Sequence, residues 1–288
     1  MIGCTRSLFS YRYLHANWGL SMHKRFSLIF LSLAVVVFFL ASCKEPDPII
    51  EEYTHEMYVE AGMPSSLVVP DGIIRIAPGT FDDCIDLISI TLPSSVTSIG
   101  SNAFSGCSGL TGIIIPDSVT SIGSYAFAGC TGLTSITIPG NVTSIEYNAF
   151  SDCSSLTSIT ILGNVTSIGS NAFTCCSSLT SITIPDSVTD IDDYAFYYCV
   201  GLTSITIPDS VTTIGSNVFA DCSNLTSIIL PSSLTSIGSY AFYSCTDLTS
   251  ITFKGTKSNW VDDVIKGESW KYQVPATVVT CSDGTVAL

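Results

Sequence analysis

Basic residues are nearly missing from this chain: 10 Lys and Arg stand against 24 Asp and Glu, a formal net charge of −14 with only three histidines. Between Leu87 and Asp247 there is no Lys, Arg or His at all. With no basic stripe to neutralise phosphates, the sequence argues against nucleic acid as a partner. It argues equally against electrostatic docking on an anionic membrane surface. The same gap removes most catalytic machinery. A Ser, Thr or Cys nucleophile needs a base beside it, and His15, His23 and His55 all lie outside that span. No glycine-rich loop leads from a strand into a helix to cradle a phosphate. No CxxC pair with a nearby His offers a zinc site. The expectation is a protein that is not an enzyme and carries no cofactor and no metal. Cationic partners, or neutral ones such as sugars and polar protein surfaces, stay open.

What the chain has in plenty is apolar sequence, 46% of its 288 residues, enough to bury a large core. Part of it lies in a leader. From Met22 the sequence runs MHKRFSLIFLSLAVVVFFLASC, a basic start followed by an apolar run from Phe26 to Leu40. That run is short for a membrane span and suits a secretory signal. Its ending, Leu40-Ala41-Ser42-Cys43, resembles the bacterial lipobox, in which cleavage before the cysteine exposes it for lipidation. The expected organisation is an upstream extension over 1–21 ahead of an alternative start, a lipoprotein signal over 22–42, and lipidation at Cys43. An acidic tether over 43–63 follows, of the kind that holds a folded body off a membrane.

From there the chain repeats itself. Phenylalanine recurs as Phe81, Phe104, Phe127, Phe150, Phe173, Phe196, Phe219 and Phe242. Cysteine follows three residues later each time, as Cys84, Cys107, Cys130, Cys153, Cys176, Cys199, Cys222 and Cys245. The unit reads LTSITIPDSVTSIGSNAFxxCSx, 23 residues without one insertion. Eight units cover Pro64–Asp247 and a ninth begins at Leu248, so the repeat body is placed at 64–253 and a C-terminal cap at 254–288. A fixed period of this length denotes a solenoid, in which no unit can bury its apolar face alone.

In LTSITIP the leucine and the last two isoleucines alternate inward while Ser and Thr face out, the period of a strand. VTSIG supplies a second short extended segment, and SNAF suits one helical or 3₁₀ turn. The expected fold is therefore a β-rich repeat solenoid of right-handed 23-residue coils with parallel sheet, short helical or 3₁₀ turns and a C-terminal cap. Stacked like on like, Phe81 to Phe242 form an aromatic spine, and Cys84 to Cys245 a column of buried structural thiols. Disulfides and metal are the competing readings for that column. In-register side chains point the same way rather than at one another, which disfavours pairing.

The pattern L-x-x-I-x-I-P-x-x-V-x-x-I-x-x-x-A-F-x-x-C resembles the BspA-like leucine-rich repeats of bacterial surface proteins, over about 64–253. The segment FKGTKSNWVDDVIKGESWKYQVPATVVTCSDG is similar to the terminal segment closing many such arrays. The resemblance implies a leucine-rich-repeat fold and a role in adhesion or binding of host matrix proteins, and with the lipobox-like ending at Cys43 the expected location is the cell envelope, lipid-anchored at the outer membrane or cell surface. The candidate binding face is the Ser/Thr-lined strand side, at Ser135, Thr137, Ser158, Thr160, Ser181, Thr183, Ser204 and Thr206. A secondary patch is Asp190, Asp192, Asp193 and Tyr194, an acidic-aromatic contact, a weak Ca²⁺ site or a solvated corner. Trp260, Trp270 and Tyr272 either stack on a sugar or cover the last coil. Ile114 and Ile229 are expected to face out, either as a local sticky patch or with no role, and Cys175, beside the ladder residue Cys176, is expected to be a reactive exposed thiol. Two other functions stay open: a structural spacer without a specific ligand, and a carbohydrate-binding module. The oligomeric state is not readable.

Overall fold

The structure is a computed structural model that describes residues 51–288; the extension 1–21, the signal 22–42, Cys43 and the tether up to residue 50 lie outside the described residues. All repeats but one make two short strands, and nearly all of these pair in parallel with their images in the neighbouring repeats. The shorter track comprises β1 (Glu52–Tyr53), β3 (Arg75–Ile76), β5 (Ser98–Ile99), β7 (Ser121–Ile122), β9 (Ser144–Ile145), β11 (Ser167–Ile168), β12 (Asp190–Ile191), β14 (Thr213–Ile214), β16 (Ser236–Ile237) and β18 (Ile265–Lys266). The longer track comprises β2 (Ser66–Val68), β4 (Ser89–Thr91), β6 (Gly112–Ile114), β8 (Ser135–Ile138), β10 (Ser158–Ile161), β13 (Ser204–Thr206), β15 (Ser227–Leu230), β17 (Ser250–Phe253) and β19 (Val278–Cys281). The fold is thus a parallel-sheet solenoid, with like residues in register, as in Ser158 on Ser135 and Thr160 on Thr137.

The alternation read from the sequence sets the inside: Leu133, Ile136 and Ile138 are buried, while Ser135 and Thr137 are exposed. The third side of each coil, the SNAFxxC segment, closes local bonds of the 3₁₀ kind, such as Ala103 N–H to Gly100 O and Cys107 N–H to Phe104 O. Between them, alternate amides reach the next coil, with Asn102 donating to Ser124 and Phe104 to Ala126. This alternation needs left-handed residues, and Asn102 (φ 55°) and Gly106 (φ 68°) supply them. The glycine before most of these turns answers a different demand: a Cβ on Gly123 would stand 2.6 Å from Ser101 N of the preceding coil.

Inside, the spine expected from the sequence is continuous. Phe81, Phe104, Phe127, Phe150, Phe173, Phe196, Phe219 and Phe242 are each 0–1% exposed. Successive rings lie 5.0 to 5.6 Å apart and within 13° of parallel; Phe173 stands 5.3 Å from Phe196, and Phe196 5.5 Å from Phe219. The cysteines explain why they share the clock. Phe104 O accepts the N–H of Cys107 in its own coil at 3.2 Å and the thiol of Cys130 in the next at 3.0 Å. Seven thiols, Cys107 to Cys245, donate in this way to the phenylalanine 26 residues before them. Each uses the second lone pair of a buried carbonyl.

Cys84 departs from the column. The residue 26 positions before it is Tyr58, which lies in a helix and not in a spine turn, and Cys84 is half-buried with its thiol 3.7 Å from Asp82 O. Residues 52–63, expected from their acidic composition to belong to the tether, are folded. Tyr53 stacks on Phe81 at 5.9 Å, and Tyr58, on the helix α1 (His55–Glu60), meets the same ring edge-on at 5.0 Å. Their glutamates stay in solvent while the two tyrosines close the open end of the spine.

At the other end β18 pairs with β16 and β19 with β17, so residues 254–288 continue both tracks for one more coil. A final strand, β20 (Gly284–Ala287), folds back antiparallel on β19 and occupies the edge. Trp270 meets Phe242 edge-on at 6.0 Å. Residues 51–288 therefore hold their whole core between two covered ends.

Both tracks lapse once. The shorter ladder breaks between β7 and β9, where Glu146 stands in the glycine column; Asp192 stands there too with its ladder intact, so the side chain alone does not decide. The longer ladder breaks between β10 and β13. There Leu162 replaces the usual proline, Gly163 turns left-handed (φ 80°), and Ser181–Ile184 form no strand pairing.

The stack predicts its own weak points. Phe150→Ala removes one ring from a continuous column and should destabilise by about 3–5 kcal/mol. Cys153→Ser, which exchanges a soft buried donor for a more polar one, should destabilise by about 1–3 kcal/mol. Denaturant unfolding of each variant checks both values, and a Cys153→Ser variant as stable as the parent would remove the thiol's assigned role.

Candidate functional site

The eight Ser and Thr residues of the predicted face all project from the longer track into solvent. Ser135, Thr137, Ser158 and Thr160 stand on the paired strands β8 and β10, and Ser204 and Thr206 on β13; Ser181 and Thr183 fall in the unpaired stretch. Their neighbours tie the columns to the backbone: the Thr134 and Thr157 hydroxyls donate to the carbonyl of the threonine one coil earlier, at 3.3 and 3.1 Å. Two shallow grooves run over this side. One of about 440 Å³ is lined by Ile114, Asp117, Ser135, Thr137, Ser158 and Thr160. The other, about 420 Å³, adjoins the break and is bounded by Ser181, Thr183, Asp186, Ser204 and the ion pair Lys254–Asp209, 2.7 Å long. Ile114 is 85% exposed at the first groove, and Ile229 is 37% exposed in the same column.

The acidic patch does not gather. Asp190 accepts the hydroxyl of Thr189 at 2.6 Å, and Asp193 accepts Ser216 N–H at 2.6 Å. Burial, with Asp190 and Asp193 adding their charge, raises the pKa of Asp192. Among the described residues no three carboxyl, imidazole or thiol side chains converge to hold a metal ion, so the Ca²⁺ reading loses its geometry. Tyr194 lines an aromatic cleft that sequence reasoning missed. The cleft holds about 520 Å³ and is lined by Tyr194, Tyr197, Asn217, Ala220, Asp221, Tyr240 and Tyr243. The available signal was Tyr at two turn columns in the same coil, at 194 and 197 and again at 240 and 243.

The tryptophans are not a sugar platform. Trp260 is 2% exposed, 5.3 Å from the Phe253 ring and 5.8 Å from that of Trp270. Lys266 sits over its face at 4.6 Å, which closes the remaining side. Of this trio only Tyr272 is exposed, stacked 5.4 Å from Tyr243.

With this geometry in view, the comparisons identify the family. The chain matches the BspA type leucine rich repeat family over residues 58–176 and 143–269. It belongs to that family. A leucine-rich repeat protein of Bacteroides ovatus is similar over 76% of this chain at 32% identity, with a TM-score of 0.65. A leucine rich cell surface protein of Faecalibacterium prausnitzii is similar over 73% of this chain at 32% identity, with a TM-score of 0.48. The chain spans 55% of the length of the Bacteroides protein and 65% of that of the Faecalibacterium one. No curated protein matches. Family members are bacterial leucine-rich repeat proteins, and the solenoid is of the kind used for repeat-based protein interaction.

Burial pushes the ladder thiols Cys107, Cys153 and Cys245 up to about 12 and raises Cys130, Cys176, Cys199 and Cys222 as well. Cys175, expected to be reactive, is half-buried, and burial together with the charge of Asp152 also raises its pKa. Cys281 is hidden beneath the last strands, 5% exposed. Two outcomes follow. Native-state alkylation should leave the seven thiols Cys107 to Cys245 unmodified while Cys84 and Cys175 react, both more slowly than a free thiol; mass spectrometry of labelled peptides reads this directly. A thiol whose pKa is higher folded than unfolded keeps its contribution below the unfolded value near 9 and loses it as pH rises toward 12. Stability should therefore hold to about pH 8.5 and then fall by about 1.4 kcal/mol per pH unit for each such thiol. Melting curves between pH 7 and pH 11 check this, and Cys153→Ala should make the alkaline slope shallower.

Proposed function

We propose that this chain is a non-enzymatic, lipid-anchored surface protein whose solenoid binds another protein through the longer-strand face, in adhesion to host matrix or to other cells. One observation carries the reading: an exposed isoleucine, Ile114, sits at the rim of a groove whose other wall is the column of Ser and Thr. A hydroxyl-lined polar face with one large apolar anchor suits a protein contact, where a few buried anchors dominate the energy. The secretory pattern of residues 22–43 supports the location. Immobilised matrix proteins should retain the chain from residue 44 to 288. Thr137→Glu with Thr160→Glu, or Ile114→Asp alone, should weaken that retention by about tenfold. Retention equal to the parent's in both variants would place the contact elsewhere.

A structural spacer without a specific ligand is the second reading, favoured by the near-identity of the coils. It predicts that no matrix or cell-surface protein is retained at all. Anchoring is proposed at Cys43 on the strength of the lipobox resemblance, since the several chains of a bacterial lipoprotein hold firmly where one would not. Cell fractionation should find Cys43→Ser in the soluble fraction or as an unprocessed precursor. An unchanged membrane share with a cleaved N-terminus would exclude Cys43 as the anchor.

A further inference from the structure

The turn side of the solenoid carries a column that always adopts the left-handed conformation. Asn fills it at 102, 148, 171 and 217, with φ between 54° and 58°. Asparagine tolerates that conformation; a bulky aromatic does so at a cost. Tyr125 (φ 59°), Tyr194 (φ 61°) and Tyr240 (φ 57°) nonetheless occupy it. Tyr125 is followed three residues on by Ala128, and its ring meets that of Tyr147 in the next coil. The other two differ. At the position where most coils carry Ser105, Ala128, Ser151, Thr174 and Ala220, theirs carry Tyr197 and Tyr243. Within each of these coils the rings pair edge to face, Tyr194 with Tyr197 at 5.7 Å and 79°, Tyr240 with Tyr243 at 5.9 Å and 72°.

The coil between them is small where they are large: Asn217, Ala220 and Asp221 form the floor of the cleft. The spine rings of these three coils, Phe196, Phe219 and Phe242, are 5.5 Å apart at each step. A group seated over Ala220 is thus one coil from either wall, within the about 6 Å over which a cation is attracted to an aromatic face. What sets these two coils apart is not the conformation, which the whole column shares, but a second tyrosine three residues after the first.

The charge at the floor selects the ligand. Asp221 has no cationic partner among the described residues, and the two ion pairs found there involve other groups. Its charge, after burial, helps raise the pKa of the Tyr197 phenol beside it, so the floor is felt at the wall. Anions are repelled, and a purely apolar ligand would cover a carboxylate without compensating it. A sugar ring is matched by a flat platform with several donors, whereas both walls here are crossed pairs and the floor offers one carboxylate and one amide. A planar guanidinium satisfies both features at once, stacking on tyrosine while forking onto the carboxylate.

We propose that the cleft formed by Tyr194, Tyr197, Tyr240 and Tyr243 over Asp221 receives an arginine side chain of a protein partner. This deepens the protein-interaction reading and rests on it, and it adds a second contact on the turn side, apart from the strand columns.

The test is titration of the chain from residue 44 to 288, its tyrosines ¹³C-labelled for NMR, with acetyl-Gly-Arg-Gly-amide. The same peptide with citrulline in place of arginine is the isosteric uncharged control, and maltotriose is the sugar arm. The arginine peptide should shift tyrosine resonances saturably and bind about tenfold more tightly than the citrulline peptide. Asp221→Asn and Tyr243→Ala should each weaken it about fivefold, while Asp71→Asn, an exposed carboxylate outside both candidate sites, should leave it unchanged. Tyr243→Phe, which keeps the ring and the fold, should bind like the parent. Equal binding of arginine and citrulline peptides, an equal loss in Asp71→Asn, or shifts by maltotriose in place of the arginine peptide would overturn the assignment. Matrix-protein retention that still depends on Ile114 would then stand by itself, so failure of the cleft is distinguishable from failure of the strand face.

Discussion

Every residue of the repeat body faces its own image one coil away, and that constraint governs the composition as well as the fold. Parallel in-register stacking sets like on like about 5 Å apart, as the spine rings show. A column of like charges at that spacing would repel by about 1 kcal/mol per neighbouring pair even in water, and more near the surface of a folded chain. Uncharged side chains that both donate and accept escape the problem. Ser89 donates to Ser66 at 2.9 Å, and a run of threonine hydroxyls donates to the carbonyl of the preceding threonine in both tracks. The missing Lys, Arg and His and the abundant Ser and Thr are two sides of one requirement.

The core obeys the same rule with a tighter tolerance. Phenylalanine and cysteine travel together because one carbonyl serves both neighbours of the cysteine, its amide within the coil and the next thiol across it. Valine or alanine in the cysteine column would fill space without using the second lone pair, and serine would bring a stronger demand for hydrogen bonding into a dry site. The same geometry disfavours disulfide pairing, since each Sγ from Cys107 to Cys245 is directed at a carbonyl and not at another Sγ.

This regularity is why so much of the fold was legible. Alternation in LTSITIP placed Leu133, Ile136 and Ile138 inside, and the clock placed Phe104 beneath Phe127 and Phe173 beneath Phe196, because period and burial are the same physical fact in a solenoid. The illegible parts are those without an image. Tyr53 and Tyr58 close the spine from a segment whose glutamates dominate its composition, so the segment read as tether. The half-burial of Cys175 and its neighbour Asp152 depend on which turn column abuts which, and the repeat pattern does not encode that. The cleft escaped for the same reason. Its lining side chains are spread over three repeats, and Ala220 and Asn217 count there by being small.

A perfectly repeated surface has no address: a ligand that fits one coil fits the next equally well, shifted by one spacing. Position on a solenoid is defined by departures from the repeat. Here they are few, with Ile114 among threonines, Gly163 where the longer ladder lapses, and tyrosines in an asparagine column. None of them helps the stack. Ile114 leaves apolar surface in water, Gly163 accompanies a break in pairing, and Tyr194 and Tyr240 hold a conformation that asparagine adopts more cheaply. Near-identical coils provide the reach of the molecule. The coils that deviate at some cost in stability are the ones that give a partner a unique position to find.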